Sequence, residues 1–234
     1  MKNKPSVIGV VLIFCLLLFS NTDCIKAQTA KILRVCIDPG HGGEDSGVPG
    51  MAELLEKDVT LQIAKRVKEQ LSGYPNVDIV LTRTLDITLN DKERIKRIFN
   101  SQPSLVISLH TDASLDTTLS GITIYSLENI VSPILGNEQK QEIINKTYNA
   151  AEIIYQIFIK NIISFGVSKP IKADLATYRK IGLPVIMINA GFITNAADEL
   201  IISKPEGLEE IANSISQAII GLESLFMESV QSEN

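Results

Sequence analysis

Apolar residues along this chain follow two kinds of spacing. Short runs rich in Val and Ile occupy residues 32–37, 77–82, 104–109, 121–127 and 184–189, the pattern of strands buried on both faces. Between and after them the apolar positions recur at three- and four-residue intervals: Val59, Ile63, Val67 and Leu71; then Ile144, Tyr148, Ala151, Tyr155, Phe158 and Ile162; finally Leu208, Ile211, Ile215, Ile219 and Leu222. Each series gives a helix one face to bury. Asn90 followed by Glu93 predicts a capped helix start, with the helix running to Phe99. Strands alternating with helices predict an α/β sandwich. Residues 128–141 carry the least pattern and include Pro133 and Gly136; they read as a surface loop or insertion near the functional cleft.

The first thirty residues differ from the rest. Lys2 and Lys4 precede an apolar run over residues 7–19, and polar Ser20, Asn21, Thr22 and Asp23 follow. That layout is a secretory signal, and the run is shorter than the ~20 apolar residues a membrane-spanning helix needs. The expected organisation is therefore a signal peptide over residues 1–27 and one globular domain over residues 31–228, exported to the periplasm or cell envelope. The 45% hydrophobic content suits a single sizeable core. A formal net charge of −5 and a pI near 5.2 argue against nucleic acid as a partner, because phosphate binding needs clustered Lys and Arg. Cys15 and Cys24 lie in the leader, which leaves Cys36 alone in the domain. Set among Ile32, Leu33, Val35 and Ile37, it reads as a buried, inert thiol.

The chain has only two histidines, and each follows a predicted strand: His41 within Asp38-Pro39-Gly40-His41-Gly42-Gly43, and His110 within Ser108-Leu109-His110-Thr111-Asp112. Ligands bind at the carboxyl edge of strands in open α/β sheets. A lone histidine is usually a surface or satisfied core residue, but two at equivalent strand ends point to a metal. Hydrolytic zinc sites commonly take two His and one carboxylate. Glu56 is the natural third ligand, at the start of the helix beginning Glu56-Lys57-Asp58-Val59. Its charge would equally suit a helix N-terminus, and spacing alone leaves both roles open.

Five segments then carry a resemblance: residues 38–43, residues 56–59, Leu81-Thr82-Arg83, residues 108–113 and Gly191-Phe192-Ile193-Thr194-Asn195. In this order they resemble the zinc-dependent N-acetylmuramoyl-L-alanine amidases that cut bacterial cell wall, and they span nearly the whole domain. The resemblance implies a mixed β-sheet flanked by helices, with one Zn²⁺ held by His41, Glu56 and His110 at the carboxyl edge of the strands. It implies peptidoglycan as substrate, cut between N-acetylmuramic acid and the L-alanine of the stem peptide. A monomer is assumed, and no activator partner is identified.

One position departs from the family. Where its members carry a general-base Glu two residues before a Gly-Phe pair, this chain has Asn189. An amide cannot shuttle a proton at neutral pH. The alternative reading is thus a zinc-binding relative that is catalytically impaired and serves as a cell-wall-binding or regulatory module. Substitute carboxylates are Glu53, Asp112 and Asp198; Asp112 is the least persuasive, because an Asp in this motif is ordinary among members that keep the Glu, while Asp198 reads better as a cap for the helix after Asn195 and Glu53 as a solvated loop charge. A zinc peptidase acting on ordinary peptides is a third reading. Arg83 and Arg94 match the family pattern and Arg179 precedes the last strand; none reads as catalytic.

Overall fold

The computed structural model describes residues 32–227, so the expected signal peptide over residues 1–27 and the first and last residues of the expected domain, 31 and 228, lie outside the described residues. Six strands form one sheet: β1 (Leu33–Pro39), β2 (Val77–Leu81), β3 (Leu105–Asp112), β4 (Thr123–Leu127), β5 (Ile171–Ala173) and β6 (Val185–Phe192), in the spatial order β2-β1-β3-β6-β4-β5. The first four in that order run parallel, while β4 pairs antiparallel with β6 and parallel with β5. This is the mixed sheet that the resemblance implied.

The helices are α1 (Glu56–Gln70), α2 (Asp91–Ser101), α3 (Asn137–Asn161), α4 (Ala196–Ile202), α5 (Pro205–Gly221) and α6 (Glu223–Met227), with a 3-10 turn at Ala176–Tyr178. Alternation along the central strands divides the core. Val35, Ile37, Leu105, Ile107, Leu109, Ile186 and Ile188 join Val59, Ile63, Ile154, Phe158, Ile211 and Ile215 of α1, α3 and α5 in one buried cluster. Cys36, Val106 and Val185 face the other way and pack with Ile98 of α2 and with Tyr178. Burying one such aliphatic side chain contributes roughly 1.5–3 kcal/mol, so both layers hold the sheet from either side.

The predicted strands and stripes correspond to observed elements, and Asn90 caps α2 by accepting a hydrogen bond from the Glu93 amide at 2.9 Å. Two differences bear on function. Strand β3 continues past Leu109, because the ladder with β6 extends to the pair His110–Asn189 before a bulge interrupts it; His110 therefore sits on the strand rather than after it. Residues 128–141 are not one loop near the site. Helix α3 already begins at Asn137, where Gln139 Oε1 accepts from the Gly136 amide. The remaining loop leaves β4 at the edge opposite the carboxyl ends of β1, β3 and β6, because β4 is reversed.

Cys36 is buried within β1, and burial pushes its thiol up to about 12. A domain starting at Lys31 should therefore resist thiol reagents at neutral pH until it is denatured. Labelling at the same rate with and without denaturant would contradict this packing.

Candidate metal centre

Strand β1 ends at Pro39 and the backbone then turns sharply. His41 itself adopts φ 59°, a left-handed conformation that few side chains tolerate and that histidine takes more readily than most. The turn sends its imidazole over the carboxyl edge, where the His110 ring of β3 meets it edge to face with ring centroids 5.1 Å apart. Glu56, the first residue of α1, lies between them and is only 3% exposed. One carboxylate oxygen is 3.1 Å from His41 Nε2 and the other 3.0 Å from His110 Nδ1. Glu56 thus bridges two imidazoles, which a residue serving only the helix dipole need not do.

Two glycines make this approach possible. A Cβ on Gly40 would lie 2.4 Å from the His110 ring, and one on Gly47 would lie 2.5 Å from Glu56 Oε2. Either side chain would occupy the space that the His110 ring and the Glu56 carboxylate use. Further hydrogen bonds fix each group. His41 Nδ1 pairs with Asp45 Oδ1 at 2.9 Å, so the ring lies between two carboxylates. The amides of Thr111 and Val48 donate to the two Glu56 oxygens at 2.9 and 3.3 Å. Burial opposes the Glu56 charge, but the hydrogen bonds from His110, His41 and Thr111 outweigh it and hold the carboxyl down to about 2. The bond to Glu56 raises the His41 pKa above the usual imidazole value, against the effect of burial.

His41, Glu56 and His110 each offer a donor atom within 4.8 Å of the others. Two nitrogens and a carboxylate spaced at 3.0–3.1 Å match adjacent ligands on an ion whose bonds are about 2.0–2.2 Å long. The residues present fit a small divalent metal. Beside them opens a cleft of about 270 Å³, bordered by Asp45, Asp91, Thr177 and Met187.

Beneath the cleft lies a polar network that sequence reasoning missed. Fully buried Asp38 accepts from Thr82 Oγ1, from Arg94 Nη1 and, at 2.6 Å, from the Tyr178 hydroxyl. Burial and the Asp38 charge raise the Tyr178 pKa well above its ordinary value, so this phenol keeps its proton and Ser108 Oγ donates to it at 2.8 Å. Arg94 also binds the carbonyls of Pro39 and His41, and Arg83 binds those of Pro39, Gly40 and Lys57. A signal existed in the sequence: an aspartate ending an apolar strand calls for buried donors.

Asn189 lies on β6 directly across from His110 on one side and Thr123 on the other. It is 5% exposed, and its Oδ1 has no hydrogen-bond partner. Of the substitute carboxylates, Asp198 is buried and accepts from the Gly121 and Phe192 amides at 2.7 and 2.8 Å; the helix cap is instead Asn195, which accepts from the amides of Ala197 and Asp198. Glu53 is exposed at φ 62°. Asp112 accepts at 2.7 Å from Thr123, the cross-strand neighbour of Asn189. Arg179 pairs with Asp174 at the surface. Glu199, not singled out from the sequence, accepts from the Ala52 amide and anchors the loop between His41 and Glu56.

A family model described as N-acetylmuramoyl-L-alanine amidase, Amidase_3, matches residues 35–221. The germination-specific N-acetylmuramoyl-L-alanine amidase of Bacillus subtilis is 27% identical over 94% of this chain and 95% of its own length. The amidase AmiC of Escherichia coli is 26% identical over 83% of this chain, which spans only 54% of AmiC. Among solved structures, the amidase AmiC2 of Nostoc punctiforme superposes with a TM-score of 0.68 at 28% identity, covering 81% of this chain and 96% of that one.

Proposed function

Because the chain belongs to the N-acetylmuramoyl-L-alanine amidase family, we propose that it is an exported, zinc-dependent peptidoglycan hydrolase directed at the amide between N-acetylmuramic acid and L-alanine. The observation that carries the proposal is the convergence of His41, Glu56 and His110 on one point. Its domain, residues 31–228, encloses the matched residues 35–221. Residues 1–27 serve as the signal peptide that takes it to the envelope.

His41 Nε2, Glu56 and His110 Nδ1 would hold the zinc. What zinc supplies there is Lewis acidity, which polarises the amide carbonyl and brings water within reach of deprotonation near neutral pH. With zinc bound, Asp45 would hold the His41 proton on Nδ1 and leave Nε2 to ligate. The Thr111 and Val48 amides stabilise Glu56 as a carboxylate. Asn189 leaves its Oδ1 buried without a partner, and an amide there cannot take the proton. General acid–base help typically contributes about 10²–10⁴-fold, so turnover should be slow.

Asn189 also favours a second reading, a wall-binding or regulatory module that holds zinc without cutting. If some turnover persists, Asp112 is the best placed replacement, because it is tied by Thr123 to the same face of the sheet. The test is release of stem peptides from purified peptidoglycan by zinc-loaded and metal-stripped protein, together with co-sedimentation on the same material. Slow release that disappears with the metal is the expected result. Co-sedimentation with no release would favour the binding module, and failure of both would overturn the proposal.

A further inference from the structure

Arg83 is among the largest fully buried side chains, at 1% exposure. A guanidinium removed from water normally faces a carboxylate, since an unpaired buried charge is costly. Among the described residues, Arg94 has such a partner in Asp38, but no carboxylate lies within ion-pair distance of Arg83. Its hydrogen bonds go to oxygens of the backbone and of one hydroxyl: Nε to Pro39 O at 3.1 Å, Nη1 to Leu85 O at 3.5 Å, and Nη2 to Gly40 O and Lys57 O at 2.8 Å each and to Thr60 Oγ1 at 3.2 Å. Thr60 Oγ1 in turn lies 3.1 Å from Gly40 O and 3.2 Å from Lys57 O.

Gly40 is the residue before His41, and Lys57 is the residue after Glu56. One nitrogen of Arg83 therefore bridges the carbonyls that flank two of the three ligating side chains, which come from different elements. We infer that Arg83 is a positioning residue that sets the spacing between His41 and Glu56 by drawing those two carbonyls onto one guanidinium. The inference rests on the zinc reading of the site. A positive charge beneath a dication disfavours the ion, so the useful property of Arg83 is its planar fork, in which Nε on Pro39 O fixes where Nη2 stands, and not its charge. A lysine would keep the charge but present a single nitrogen without that fork.

The experiment measures zinc affinity by chelator competition on the full chain, alongside the visible absorption of the cobalt-substituted protein, for wild type, Arg83→Lys, Arg83→Met and Thr60→Val. If Arg83 positions the ligands, both arginine variants lose about 10–100-fold in zinc affinity, the range typical of lost supports to metal ligands. The cobalt spectrum of the folded variants shifts as well, which a purely structural role would not cause. Thr60→Val keeps the buried cation and removes both the bond from Arg83 and the hydroxyl's own bond to the flanking carbonyls, so it loses about fivefold or more and remains informative if the arginine variants do not fold. Wild-type affinity and spectrum in Arg83→Lys would overturn the positioning role while leaving the zinc centre standing, as would tighter binding in Arg83→Met. A wild-type protein that binds no zinc would overturn the metal reading and this inference together.

Discussion

Replacing Asn189 by glutamate raises the rate of stem-peptide release from peptidoglycan by about tenfold or more. The position faces His110 across the β3–β6 ladder, so a carboxylate introduced there enters the ligand cluster from the same face of the sheet. It could accept a proton from the attacking water and return it to the departing L-alanine nitrogen, two transfers that an amide cannot make. The substitution also replaces an acceptor that has no partner in its buried setting, so it removes no existing hydrogen bond to that oxygen. The rate is measured as free amino termini appearing with time, with zinc saturating. If the unmodified protein is already active and the glutamate variant no faster, another group is the proton acceptor. Asp112 would then be the first to replace.

Glu56→Ala should abolish measurable zinc binding, with an affinity loss of more than about a hundredfold, since even the loss of a supporting residue behind a ligand costs about 10–100-fold. The change removes a ligand and also the group that holds both imidazoles in place through contacts of 3.0 and 3.1 Å. An acid-stability effect accompanies it. The Glu56 pKa is held at about 2 against an ordinary value of 4.5, so in chelator-treated wild type its charge stabilises the fold above about pH 4.5 and stops doing so as the pH falls towards 2. The raised His41 contributes in the opposite window: fully below 6.5, and lost as the pH rises through its folded value. The Glu56 contribution should vanish from the urea-denaturation profile of the variant, and the His41 contribution should shrink to what Asp45 still supports. One zinc per chain retained by Glu56→Ala would remove this residue from the site.

The parts of the site readable from the sequence were those announced by local pattern. His41 and His110 stood out because each ends a run of apolar residues, and the glycines around His41 marked a turn. Glu56 was legible as a helix start but ambiguous as a ligand, because its second role depends on β3, more than fifty residues away. The supporting layer could not be read in this way. Tyr178 reaches Asp38 across 140 positions from a 3-10 turn too short for any periodicity, and Glu199 reaches Ala52 across 147. The same blindness applied to residues 128–141: a polar, proline-containing stretch looks like a loop, but only the direction of β4 says which end of the sheet it leaves from.

That direction gives the molecule two unequal poles. Because β4 runs against β6, the connection from β4 to α3 emerges at the amino end of the parallel strands, where Ile134 is 88% exposed, while His41, Glu56 and His110 gather at the other end. The two ends can therefore diverge independently. Lengthening this connection, or grafting a reporter or a targeting module into it, alters what the domain carries without entering the space where it meets its substrate.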